Sequence, residues 1–164
     1  LDRVREWRML PEITRYMYTD PDISPADQRA WFERIQNSPH DIVWIIELTD
    51  GDVPVGVLSL SDIDQVNRRA CWAYYIASPE ARGKGLAKRM LAELINREES
   101  TDVQFIETTI TPDNEASWGM FRSFAYQRSM PTEEFILFDS RIHFAGEHND
   151  EYLLRIGPFN RDEA

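Results

Sequence analysis

The sequence predicts one α/β domain with a mixed, mostly antiparallel central sheet and flanking helices. Three observations carry that reading. Short runs rich in β-branched and aromatic residues recur along the chain, as strands require. Amphipathic segments opened by capping residues lie between them. Their order is a helical pair, a hairpin, a strand with a turn and helix, a second strand with a turn and helix, and two last strands. The length of 164 residues suits one ordinary domain. The chain opens at Leu1 inside a helical pattern, so the reading expects further residues, a first strand, ahead of it.

Taken in order, Val4, Trp7, Arg8 and Leu10 give a short amphipathic helix stopped by Pro11. Ile13 to Tyr18 reads as another turn or two of helix. Ser24 can cap the next helix, with Pro25 at its first position and Asp27 in its first turn, and Trp31, Phe32 and Ile35 are expected to face inward. Asp41–Leu48 and the stretch from Val53 form a hairpin about the Thr-Asp-Gly-Asp turn. Ala70–Ser78 is a third strand, and it feeds a helix expected over Gly85–Arg97. Val103–Ile110 is a fourth strand, and the helix after it carries Trp118, Met120, Phe121 and Phe124. Glu133–Phe138 and Glu151–Gly157 complete the strands.

The bulk chemistry narrows the function. A formal net charge of −11 spread along the chain argues against a nucleic-acid partner. No apolar run is long enough to be a membrane helix, and there is no secretory signal pattern at the N-terminus. The single cysteine, Cys71, excludes an intrachain disulfide, fits a reducing, cytoplasmic setting, and is expected to be buried filler. The three histidines, His40, His143 and His148, have no metal-ligand spacing, so no metal site is expected.

The stretch Arg82-Gly83-Lys84-Gly85-Leu86-Ala87 carries the most specific chemistry. It follows a strand and opens a helix, where backbone N–H groups lack intrahelical partners and the dipole is positive. Small residues at 83, 85 and 87 let a phosphate approach the backbone, and Arg82, Lys84 and Lys88 add charge. The spacing is neither that of a Walker loop nor that of a dinucleotide fingerprint.

This motif, in this order of elements, resembles the GNAT superfamily of acetyl-CoA-dependent N-acetyltransferases over nearly the whole chain. The resemblance implies a sheet splayed at a coenzyme A cleft. It implies that the turn Arg82–Ala87 holds the pyrophosphate, and that Ile76 and Ala77 pair by their main chain with the pantetheine arm. It also places Asn114 against the cofactor arm, with Ser117 and Phe121 following on the same helix. Phe121 stands where many members carry the tyrosine that protonates the leaving thiolate; Ser117, Tyr126 or water would have to substitute. Dimers are common in the family, so a homodimer is the implied assembly.

Within the family, the first half, Val4–Ile76, is similar to amino-sugar N-acetyltransferases of the pseudaminic acid pathway, on stretches such as "VREWRMLPEITRYMYTDPDIS" and "PVGVLSLSDID". The second half resembles the L-2,4-diaminobutyrate acetyltransferases of ectoine synthesis, on "FIETTITPDNEASWGMFRSFA" and "GEHNDEYLLRIGPF". A strand tryptophan of the latter aligns with Ala73 here, with Trp72 beside it. The acceptor is therefore a small-molecule amine, read first as a diamino acid and alternatively as a nucleotide-linked 4-amino sugar. A module that binds acyl-CoA without turnover is a third reading.

Acyl transfer to an amine needs a neutral nucleophile, a donor toward the developing oxyanion and a proton source for the thiolate. Glu107 is the candidate base, because a carboxylate inside an apolar strand is costly unless it is used or paired. The competing reading is a structural glutamate paired with an arginine, or one facing solvent. Trp72 and Tyr74 alternate onto one strand face and are candidate acceptor walls. Glu107, His148 and Glu151 would together favour a second ammonium group.

Overall fold

In the computed structural model the sheet has the strand order β1-β2-β3-β4-β6-β5. The structure describes residues 1–14, 22–138 and 150–159. The strands are β1 (Ile42–Leu48), β2 (Val53–Asp64), β3 (Arg69–Ile76), β4 (Phe105–Ile110), β5 (Thr132–Phe138) and β6 (Glu151–Ile156). The helices are α1 (Asp2–Arg8), α2 (Pro11–Thr14), α3 (Pro25–Gln36), α4 (Leu86–Ile95) and α5 (Glu115–Gln127). Pairs β1–β2, β4–β6 and β5–β6 are antiparallel, and β3–β4 is parallel. The chain divides into two compact units, Leu1–Asp62 with Trp72–Lys84, and Ile63–Cys71 with the chain from Gly85 onward.

In the first unit, α1 ends ahead of Pro11, whose ring restricts the residue before it. Ser24 and Asp27 close a reciprocal capping box at the start of α3, with Pro25 at the first helical position. One expectation for α3 fails. Phe32 is 37% exposed, and the residue buried on this helix is Gln28. Trp31 and Ile35 are only half-buried, because they face a cavity and not a filled core. The hairpin β1–β2 pairs Ile42 with Leu60 through Leu48 with Val53, interrupted by a bulge at Ile46/Glu47. Gly56 on β2 is required by close approach, since a Cβ there would collide with the Tyr75 carbonyl oxygen on β3. Val55, Leu60 and Trp72 are among the most deeply buried residues of this unit.

In the second unit, β3 and β4 pair over Arg69↔Phe105, Ala70↔Ile106 and Cys71↔Glu107. Cys71 is half-buried and forms no disulfide, so it is less enclosed than expected. Strand β6 inserts between β4 and β5. Helix α4 buries Ala87, Leu91, Leu94 and Ile95, and α5 buries Trp118, Phe121, Phe124 and Ala125, the spacing of one helical stripe each. Ile106, Leu154 and Ile156 on β4 and β6 are buried as well. All seven residues of the edge strand β5 are exposed.

Candidate active site

Local geometry at the turn follows from its two glycines. Gly83 and Gly85 adopt φ of +73° and +71°, a left-handed conformation that other residues take at a cost. A Cβ at either position would meet no atom within 4 Å, so the backbone looks into open space. Gly85 is the N-cap of α4 and offers no side chain, so the first N–H groups of α4 have no side-chain cap. Open space, uncapped donors and a positive helix end fit the pyrophosphate of coenzyme A.

The basic side chains behave differently from expectation. Arg82 folds back onto the end of β3, donating Nε–H to the Ile76 carbonyl at 2.8 Å and Nη2–H to the Ala77 carbonyl at 3.1 Å. It also stands 3.7 Å from Glu12. Its role is to brace the turn against the strand. Lys88 turns to α5, donating to the Ser123 hydroxyl at 2.7 Å and to Gln127 at 3.3 Å. Lys84 is exposed and remains the turn's cation toward solvent.

The strand end corrects a second expectation. The Ala77 N–H donates to the Val55 carbonyl at 2.7 Å, so it belongs to the β2–β3 ladder and not to a cofactor arm. A strand turns successive amides to opposite edges, so Tyr74 and Ile76 direct theirs to the other edge. The Ile76 carbonyl is taken by Arg82.

On α5, Asn114 is the N-cap, and its Oδ1 accepts the Ser117 N–H at 3.2 Å. Ser117 is half-buried. Phe121 is 2% exposed and part of the core, so it is out of reach of a cofactor. Tyr126, on the solvent face of α5, is 87% exposed and has no enclosed site in which to act as an acid.

Glu107 sits on β4 with 1% exposure, and both its oxygens are engaged. Oε2 accepts from Arg69 Nη1 at 2.6 Å; Oε1 accepts from Arg155 Nε at 2.9 Å and lies 2.7 Å from Arg155 Nη2. Asp64 lies 3.5 Å from Arg69, and Glu133 lies 3.2 Å from Arg155. Hydrogen bonding to Glu107 raises both arginine pKa values above the ordinary guanidinium value. A carboxylate with both oxygens held by guanidinium groups is already occupied and is not presented to a substrate amine. The geometry matches the structural alternative of an arginine-paired glutamate. Neither arginine was anticipated, although Arg155 sits inside the apolar run of β6 as Glu107 does inside β4, and two opposite charges so placed were a readable signal.

The acceptor candidates separate. Trp72 stacks on Tyr74 with ring centroids 5.1 Å apart, but Trp72 is 1% exposed and cannot touch a ligand. Tyr74 is half-buried and lines a cavity in the first unit. Glu151 is buried at the start of β6. His148 lies outside the described residues. No cluster of three metal-ligating side chains occurs among the described residues.

Comparison with known proteins then decides the family. Residues 1–126 match the acetyltransferase (GNAT) domain model. The chain is a GNAT-family acetyltransferase. It is an N-acetyltransferase whose acetyl donor is acetyl-CoA. This acetyltransferase is 35% identical over 141 residues, 85% of its length, to the L-2,4-diaminobutyric acid acetyltransferase of Methylotuvimicrobium alcaliphilum, of which it covers 81%. With the enzyme of that name from Vibrio cholerae it shares 34% over 134 residues, 81% of this chain and 77% of that protein. Among solved structures, the diaminobutyrate acetyltransferase of Paenibacillus lautus, bound to L-2,4-diaminobutyric acid and coenzyme A, superposes with a TM-score of 0.69 at 26% identity, over 97% of this chain and 91% of that one. The spermidine N-acetyltransferase of Vibrio cholerae, bound to CoA and spermine, superposes with a TM-score of 0.79 over 96% and 89%. Its 15% identity shows a shared fold.

Proposed function

We propose that this acetyltransferase acetylates one amine of L-2,4-diaminobutyrate or a closely similar diamino acid. The observation that carries the reading is the 35% identity, over 85% of the chain, to a diaminobutyrate acetyltransferase. The turn at Gly83–Ala87 holds the pyrophosphate of the donor through backbone N–H groups, braced by Arg82. In the second unit Asn114 and Ser117 at the start of α5 are the proposed contacts of its arm, and so, in the first unit, is the N–H of Ile76. Acetyl-CoA, when bound, supplies an acyl thioester to the acceptor amine.

The protein's residues bind and orient more than they move protons. An amine is mostly protonated at pH 7, so a proton must leave before attack. Glu107 is committed to Arg69 and Arg155, and water takes that proton in this reading. The leaving thiol is acidic enough to depart without an acid, which accords with Phe121 in place of a tyrosine.

A homodimer formed through β5 is part of the proposal. This edge strand exposes Phe135, Ile136, Leu137 and Phe138 at 38–56%, an apolar edge that soluble proteins normally cover. A cytoplasmic setting fits Cys71 without a disulfide and the absence, among the described residues, of a helix able to cross a membrane.

Release of coenzyme A thiol from acetyl-CoA, followed with a panel of amines, tests the reading. Release with 2,4-diaminobutyrate supports it. Release only with a nucleotide-linked 4-amino sugar, or acetyl-CoA binding with no release, overturns it.

A further inference from the structure

The first unit holds a half-open cavity of about 300 Å3 between α1, α3 and the strands β1 to β3. Its apolar wall includes Val43, Val57 and Trp31. Among the described residues its charged lining is Arg8, Arg34 and Asp41. Asp41 is already engaged locally, accepting from the Ser38 hydroxyl at 2.6 Å and lying 3.7 Å from Arg34. The Tyr75 hydroxyl is enclosed and has no hydrogen-bond partner among the described residues. The Arg8 charge acts on that same hydroxyl. A buried O–H donor without an acceptor is costly, and such an orphan marks a place for a ligand oxygen.

Resting on the diamino-acid reading above, we infer that this cavity receives the carboxylate of the acceptor, with the Arg8 guanidinium and the Tyr75 hydroxyl as its two donors. A guanidinium and a phenol O–H together match two carboxylate oxygens. Tyr75 is one residue before Ile76, so the anchored end of the ligand lies beside the strand segment assigned to the donor's arm. A free amino acid fits wholly within this space, whereas a nucleotide-linked sugar, whose phosphates offer the same anionic oxygens, would have to extend out through its opening. Arg8 and Tyr75 are then specificity residues that separate a diamino acid from a polyamine, which carries no carboxylate. The aromatic wall of Trp31 and Tyr74 takes the aliphatic carbons.

The test compares 2,4-diaminobutyrate with 1,3-diaminopropane, the same diamine without its carboxylate, in the wild type and in Arg8→Gln, Arg8→Lys and Tyr75→Phe. Acetyl-CoA affinity, measured by calorimetry, checks that each variant is folded. The wild type is expected to favour the diamino acid in kcat/KM by about tenfold or more. Arg8→Gln and Tyr75→Phe are each expected to lower that preference about tenfold, chiefly through KM, with diaminopropane changed less than about twofold. Arg8→Lys should retain part of it. If Arg8→Gln fails to bind acetyl-CoA, Tyr75→Phe decides. Equal wild-type use of the two amines, or a preference unchanged in the folded variants, overturns the carboxylate assignment while leaving the diamino-acid reading in place. Acetylation of a UDP-4-amino sugar with none of diaminobutyrate overturns both.

Discussion

Glu107 and Arg155 are directly opposed across the antiparallel β4–β6 pair, and the carboxylate receives the guanidinium at 2.7–2.9 Å while only 1% of its surface is exposed. Arg69 reaches the other oxygen from β3. Removing the carboxylate would leave two guanidinium groups facing each other, and breaking such a buried pair costs several kcal/mol. Both arginines are about a third exposed, which softens the cost through solvent. Glu107→Gln is expected to lower stability by about 2 kcal/mol in urea unfolding. The folded fraction should keep its acetyl-CoA affinity. Unchanged stability with a collapse in turnover would instead make Glu107 a catalytic base.

At the turn, Gly85→Val combines left-handed strain of about 1–2 kcal/mol with a branched side chain in the open space facing the helix end. The expected result is loss of acetyl-CoA affinity by at least about tenfold in calorimetry, with the fold retained by circular dichroism. Ordinary affinity in this variant would remove the pyrophosphate assignment.

Arg82 braces the strand end through two main-chain carbonyls, so its loss should act on the donor site indirectly. Arg82→Ala is expected to weaken acetyl-CoA binding by about tenfold, each side chain-to-backbone bond contributing about 1 kcal/mol. Arg82→Lys should recover little, because one ammonium cannot reproduce the forked contact.

Much of this fold was legible in the sequence. Strands with period-two or continuous apolar patterns, the Ser24–Asp27 cap and the glycine turn are local signals, and local physics fixed them. Register was not local. Arg69 and Arg155 stand 38 and 48 residues from Glu107, and only the β3–β4 and β4–β6 pairings bring them together. The Ala77 amide looked available because its partner, Val55, lies in another strand. Phe121 read as a cofactor contact by analogy, whereas the α5 stripe of Trp118, Phe121 and Phe124 already marked it as core. The cavity beside Tyr75 draws on five elements and had no linear signature.

Tyr75 gives a pH signature of its own. Burial pushes its phenol above the ordinary value of 10, outweighing the opposing Arg8 charge. The folded state therefore holds this proton more tightly than the unfolded chain does. The associated stability is present below pH 10 and is lost as pH rises through the folded-state pKa. Urea unfolding from pH 9 upward should show a steeper loss for wild type than for Tyr75→Phe. Parallel curves would place the hydroxyl in solvent.

The exposed edge of β5 should decide assembly. Ile136→Glu puts a charge into the apolar edge and is expected to convert a dimer to a monomer in light scattering. A wild-type monomer at working concentration would remove β5 as an interface.

The most direct test of the central claim is a competition. The protein is given acetyl-CoA with equal concentrations of L-2,4-diaminobutyrate, spermidine and a UDP-linked 4-amino sugar, and the products are weighed by mass spectrometry. The account predicts that monoacetylated diaminobutyrate dominates, with coenzyme A released in equal amount. A dominant acetylated sugar or polyamine, with diaminobutyrate untouched, would contradict it.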